Sequence, residues 1–119
     1  EATPDQSHVL VCHHPFVSPP DAPLNIATRR GNRASRALAA SPVSLLLTGH
    51  VHTPSVHRIG TGNASYLAVS AGTLSTRLRE HPPSFNEIMI DHGEIEVIEH
   101  RFEKGKFQRR HPRAFTSAA

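Results

Sequence analysis

Two segments carry the residues of this chain best suited to chemistry: Val11-Cys12-His13-His14-Pro15-Phe16 and Thr48-Gly49-His50-Val51-His52-Thr53. Each follows a short apolar run that ends abruptly in histidines. Neutral imidazole is a common metal ligand. If the two runs are neighbouring buried strands, His13, His50 and His52 emerge at one sheet edge. In an extended segment residues two apart point the same way, so His50 and His52 project together and Val51 turns away. Such a pair can reach two metals ~3.5–4 Å apart, one each, the arrangement that hydrolyses phosphoesters. Gly49 permits a sharp bend or a positive φ just before the pair. The same period of two puts Val9, Val11 and His13 on one face and Leu10, Cys12 and His14 on the other. One of the two adjacent histidines is therefore expected as a direct ligand, and Pro15 holds His14 extended.

Plainer readings compete. The three histidines are unrelated in the first, as a lone histidine at a strand end usually is. In the second, Cys12 joins them in a structural zinc site. Cys12 falls on the opposite face from His13, and the paired spacings of such sites are absent, so an incomplete two-metal site is the preferred reading.

The elements that must position these residues follow from the apolar runs. His8-Val9-Leu10-Val11-Cys12 reads as a short buried strand. Four prolines between 15 and 23 make 13–24 a loop. Asn32 caps a short helix with Ala34, Ala37 and Leu38 as its apolar face, and Ser41-Pro42 stops it. Residues 43–47 read as a second buried strand. Strand, loop, helix and strand make a right-handed parallel crossover, which brings both strand ends to one edge of an α/β sheet. After a turn at 60–63, residues 64–70 read as a third strand. A polar loop follows over 73–84. Residues 84–90 and 95–102 form a hairpin around Asp91-His92-Gly93-Glu94, the second arm being an edge strand. From 103 to 119 the sequence reads as a basic, frayed tail, leaving 1–102 as one partial domain.

These residues carry a family resemblance. The two histidine segments, with Ser70-Ala71-Gly72-Thr73 and Pro83-Ser84-Phe85-Asn86-Glu87-Ile88, resemble the C-terminal part of a calcineurin-like metallophosphoesterase, similar to the bacterial cyclic-nucleotide phosphodiesterase branch, over about residues 8–102. The resemblance implies an α/β (mixed α+β) chain forming the C-terminal half of a four-layer αββα sandwich. It implies that His13 and His50 bind one divalent ion and His52 a second (manganese, iron or zinc), while His14 faces substrate or supports a ligand. No catalytic residue is assigned within the chain itself. The family's D-x-H, G-D and G-N-H segments have no match: Asp5 is wrongly spaced from His8, and Gly31-Asn32-Arg33 has arginine where histidine is needed. Three imidazoles without a carboxylate do not hold two divalent ions tightly. The chain is thus expected to be a fragment or one part of a split enzyme. Its partners would be a small phosphoester substrate and the missing N-terminal half. The loop at 16–30 and Arg77 and Arg79 would shape substrate preference. Alternatives are a non-catalytic scaffold of the same fold and a nuclease of the same superfamily.

Size and composition set the outer limits. At 119 residues, 37% of them hydrophobic, with 10 prolines, the chain holds one loop-rich core. Of the 10 histidines, most of His8, His57, His81, His92, His100 and His111 are expected at the surface. The net charge is +3. Six basic residues crowd between Arg101 and Arg113, either as a solvated terminus or as a surface for nucleic acid. The single cysteine excludes an internal disulfide and fits a reducing, cytoplasmic setting. No apolar run approaches the ~18 residues of a membrane span. Apolar strands 9–12 and 43–47 are expected to lie on an exposed edge if this half stands alone.

Overall fold

In the computed structural model, which describes residues 6–18, 28–76 and 81–116, the expected crossover opens the chain. Strand β1 (His8–Val11) is followed by helix α1 (Gly31–Ala39) and strand β2 (Val43–Thr48). β1 and β2 pair in parallel, with Leu10 opposite Leu46 and Val11 opposite Leu47. β3 (Ser55–Thr61) and β4 (Ala64–Ser70) form a hairpin, and β4 lies parallel to the other side of β2. The first sheet has the order β1-β2-β4-β3. β2 is therefore interior rather than an edge, because β4 covers it. Of the two expected edge strands β1 alone lies at an edge, with Val9 at 40% and Val11 at 71% accessibility.

A second, antiparallel sheet contains β5 (Ser84–Asp91), β6 (Glu94–Glu103), β7 (Lys106–Arg109) and β8 (Arg113–Thr116). β6 is central, not an edge: β5 pairs along one side, and β7 and β8 along the other. The basic stretch expected as a tail from 103 is thus strand-forming as far as Thr116. Phe115 accounts for this, since it packs onto the core between the sheets. β3 was also missed, because Ser55-Val56-His57-Arg58-Ile59 has only two apolar residues in five, three positions apart, which breaks the alternation of a strand.

Alternation sorts the apolar residues of the first sheet into two cores. Leu45, Leu67 and Val69 face Ile95 and Val97 of the second sheet. Leu46 and Tyr66 face Leu38 and Ala39 of α1, with Leu10, Cys12, Phe16 and Ile59 around them. Each fully buried side chain of this size contributes roughly 1.5–3 kcal/mol. The result is three layers: helix, mixed sheet, antiparallel sheet.

The helix differs from expectation at its start. Arg30, not Asn32, occupies the N-cap, at φ 60° and with no side-chain cap. Gly31, Ser35, Leu38 and Ala39 form the buried stripe, at the i, i+4, i+7, i+8 spacing of a helix face, whereas Ala37 is exposed. Gly31 leads this stripe because a Cβ there would sit 1.7 Å from the Phe16 carbonyl oxygen. Helix and histidine-bearing loop therefore touch backbone to backbone. No helix among the described residues is long and apolar enough to cross a membrane.

Candidate metal centre

The parallel ladder continues past β1 and β2. The Cys12 N–H donates to Leu47 O at 2.9 Å, and the Gly49 N–H donates to His13 O at 3.0 Å. These bonds fix the two histidine segments side by side. On the other flank Thr28 ties down Pro15, whose carbonyl oxygen accepts from the Thr28 N–H at 3.3 Å and from its hydroxyl at 2.8 Å. Pro15 is buried. The loop carrying His13 and His14 is thus held between the helix start and the end of β2.

Within this frame His13, His14 and His50 each offer a ring nitrogen, all lying within 4.8 Å of one another. The Nδ1 atom of His50 is 3.3 Å from Nε2 of His13. Two nitrogens about 2.0–2.1 Å from one tetrahedral ion sit roughly 3.3–3.4 Å apart, so this spacing suits a shared ion as well as a hydrogen bond. His14 completes the group, its ring centroid 4.2 Å from that of His50 and 4.7 Å from that of His13. The donor set fits a divalent metal that accepts imidazole, such as zinc. Among the described residues the group contains no carboxylate.

Two expectations change here, both for backbone reasons. Both adjacent histidines reach the group because β1 ends at Val11 and residues 13 and 14 lie in a bend, where strand alternation no longer applies. His50 and His52 are not an extended pair. Each has a left-handed backbone, at φ 67° and 59°, while Gly49 does not. His52 is not part of the three-histidine group. A non-glycine residue with positive φ is uncommon and carries strain, which clusters at functional positions. The bend was legible in the glycine; that the histidines themselves bear it was not.

Beside the group lies a cavity of about 250 Å³, bounded by Pro15, Phe16, Thr48, His57, Tyr66 and Ser70. His57 Nε2 and Ser70 Oγ are buried in it without a hydrogen-bond partner among the described residues. His57 is therefore not the surface histidine expected. His81 and His100 are not surface residues either, with side chains 17% and 19% exposed and paired to Glu99 and Glu87. Arg77 and Arg79, and most of the 16–30 loop, lie outside the described residues.

Comparison with solved structures supplies the frame. The chain is similar to a single-substitution variant of Vps29 from Entamoeba histolytica, with a TM-score of 0.56 and 22% identity over 76% of this chain and 49% of that one. The fold is metallophosphoesterase-like. Wild-type Vps29 of the same organism, complexed with zinc, matches at a TM-score of 0.53 and 19% identity, over 75% of this chain and 48% of that one. Vacuolar protein sorting 29 from Cryptosporidium parvum matches at 0.53 and 21%, over 72% and 42%. The chain spans about half the length of the structures it matches. No protein-family model and no curated protein sequence matches it. In the metallophosphoesterase-like frame the histidine group lies at the C-terminal ends of parallel strands, where α/β sheets place their ligands.

Proposed function

We propose that this chain supplies the imidazole side of a divalent-metal centre on a metallophosphoesterase-like fold, and that the completed centre hydrolyses phosphoesters of the phosphodiester type. The observation that carries the reading is the convergence of His13, His14 and His50 at the ends of β1 and β2. His13 and His50 hold one ion, with His14 as a further ligand or a group facing the substrate. His52 serves a second ion, together with carboxylates from outside these 119 residues. A metal bound there lowers the pKa of water and offsets phosphate charge. The chain's own part is to present neutral imidazoles on rigid strand ends and to hold their loop by the Gly49–His13 and Thr28–Pro15 bonds.

A second reading has its own support: the metallophosphoesterase-like fold serves as a non-catalytic scaffold that keeps a metal. The likeness to Vps29, whose name places it in vacuolar protein sorting, backs the scaffold more directly than it backs catalysis. So does the lack of a carboxylate in the histidine group among the described residues.

One experiment separates them. The full-length protein is assayed for bound metal and for hydrolysis of an aryl phosphodiester, alongside His50→Ala. Loss of both metal and turnover in the variant supports the hydrolase. Metal that depends on His50 without turnover supports the scaffold. Unchanged metal and turnover in His50→Ala removes both readings.

A further inference from the structure

The crowded basic residues between Arg101 and Arg113 are absorbed neither by the histidine group nor by a solvated tail. Arg110 lies in a β-bulge, and Arg113 directly follows it. Val97 of β6 pairs with Arg113, and His100 pairs with Arg109. Between these pairs β6 has two residues, 98 and 99, whereas its partner has three, 110–112. The extra residue kinks the strand pair, a device that re-aims side chains and recurs beside binding sites. The Arg110 N–H donates to Glu99 O at 2.8 Å, which anchors the kink.

The bulge turns a core face into a charged pocket. Ile95 and Val97 point into the apolar core between the sheets, and by alternation Glu99 and Arg101 continue that face. Arg113, directly opposite Val97, shares it. The resulting pocket of about 300 Å³ is lined by His81, Glu99, Arg101, Arg110, His111 and Arg113. Its other wall begins at Pro54, two residues after His52, so it borders the loop of the candidate metal centre.

The single carboxylate on this lining is already matched. Glu99 accepts from Arg101 at 2.8 Å and contacts His81 at 2.6 Å. Arg110 reaches an acid only at 3.8 Å, at Glu103. Arg113 and His111 have no ion pair or hydrogen bond from their side chains among the described residues. Counting the permanently charged groups alone, three arginines against one glutamate leave the lining at a net +2. Guanidinium is the group that recognises phosphate by paired hydrogen bonds.

We propose that this bulge pocket is an anion site that takes a phosphate-type group, held chiefly by Arg110 and Arg113. Its lining includes none of His13, His14, His50 and His52, and the proposal does not depend on the function proposed for them. The phosphate is either free or carried on a small phosphomonoester.

The test is calorimetric titration of the metal-free, full-length protein with inorganic phosphate, pyrophosphate and a sugar phosphate, and with a short single-stranded oligonucleotide. Saturable binding of at least one of the three small anions is expected. It should weaken at least tenfold in Arg110→Gln/Arg113→Gln and persist in His50→Ala. Tighter binding of inorganic phosphate or pyrophosphate than of sugar phosphate identifies a free anion, and the reverse order identifies a monoester. A matched control, Lys104→Gln/Lys106→Gln, removes the same charge from the β6–β7 turn and should bind normally. All four substituted sites are exposed, and melting curves verify folding. The proposal is overturned if none of the small anions binds, if the lysine pair weakens binding as much as the arginine pair, or if the oligonucleotide alone binds.

Discussion

The Nδ1 atom of His50 lies 3.3 Å from Nε2 of His13 across 37 positions of sequence, and His50 reaches it through a left-handed backbone at φ 67°. A glycine would relieve that conformation, and the imidazole is what the strain retains. His50→Gly should therefore stabilise the metal-free protein, by up to about 1 kcal/mol once the added freedom of the unfolded chain is counted. Zinc affinity should fall at least tenfold in the same variant. Thermal melts with and without zinc read both effects. A variant that is less stable and binds zinc normally would show that the left-handed turn has no link to the site.

Two glycines flank this centre and should respond oppositely to alanine. A Cβ on Gly31 would meet the Phe16 carbonyl oxygen at 1.7 Å, whereas one on Gly49 finds its nearest neighbour, Nδ1 of His13, at 3.9 Å. Gly31→Ala must push the helix start off the histidine loop. It should cost about 1–3 kcal/mol or more and loosen metal binding along with the fold. Gly49→Ala, free of steric conflict and of positive φ, should change stability by no more than about 1 kcal/mol. Denaturant midpoints for the two proteins decide the matter, and equal losses would contradict the close approach at Gly31.

Tyr66 is fully buried at the helix–sheet boundary, where its hydroxyl is 2.7 Å from Ser35 Oγ. Burial pushes its pKa up, against the opposing effect of the Ser35 hydrogen bond. The phenol thus stays neutral throughout the ordinary pH range. Tyr66→Phe leaves the serine hydroxyl unpartnered and should cost about 1–3 kcal/mol. Adding Ser35→Ala should recover part of that loss, because no orphaned polar group then remains. A double variant whose loss equals the sum of the single ones would mean that the pair is not coupled.

The same chemistry explains what the sequence could tell and what it could not. Leu10 and Val11 of β1 and Leu45 and Leu46 of β2 sit in continuous apolar runs, so the two parallel strands and their crossover were legible, as was the hairpin at Asp91–Glu94. β7 and β8 were not, because each contributes a single aromatic, Phe107 or Phe115, among basic residues, and only the partner strand β6 reveals which residues turn inward. The edge reading of β6 failed for the same reason. Glu99 and Arg101 look like solvent-facing residues until the bulge opposite them closes a pocket. At the histidines, the residue types and their two segments were readable. Which rings meet was not, since that depends on positive φ at His50 and His52 and on a bend at His13 and His14, none of which strand periodicity encodes.

Glu99 gives the pocket a pH signature. Burial raises its carboxyl pKa, but the hydrogen bonds from Arg101 and His81 outweigh burial and hold it below the ordinary value of 4.5. The unfolded chain therefore takes up this proton first as the pH falls, and stability declines with it. The contribution of the cluster is complete above about 4.5 and is lost as the pH drops through the lower folded value. Glu99→Gln should lower stability at neutral pH, where Arg101 loses its partner. It should also flatten the acid limb of the stability profile, since the group that titrates is gone. Thermal melts between neutral and strongly acidic pH measure both limbs. A wild-type profile that is flat through the carboxylate range, or an acid limb unchanged in Glu99→Gln, would place the acid sensitivity elsewhere.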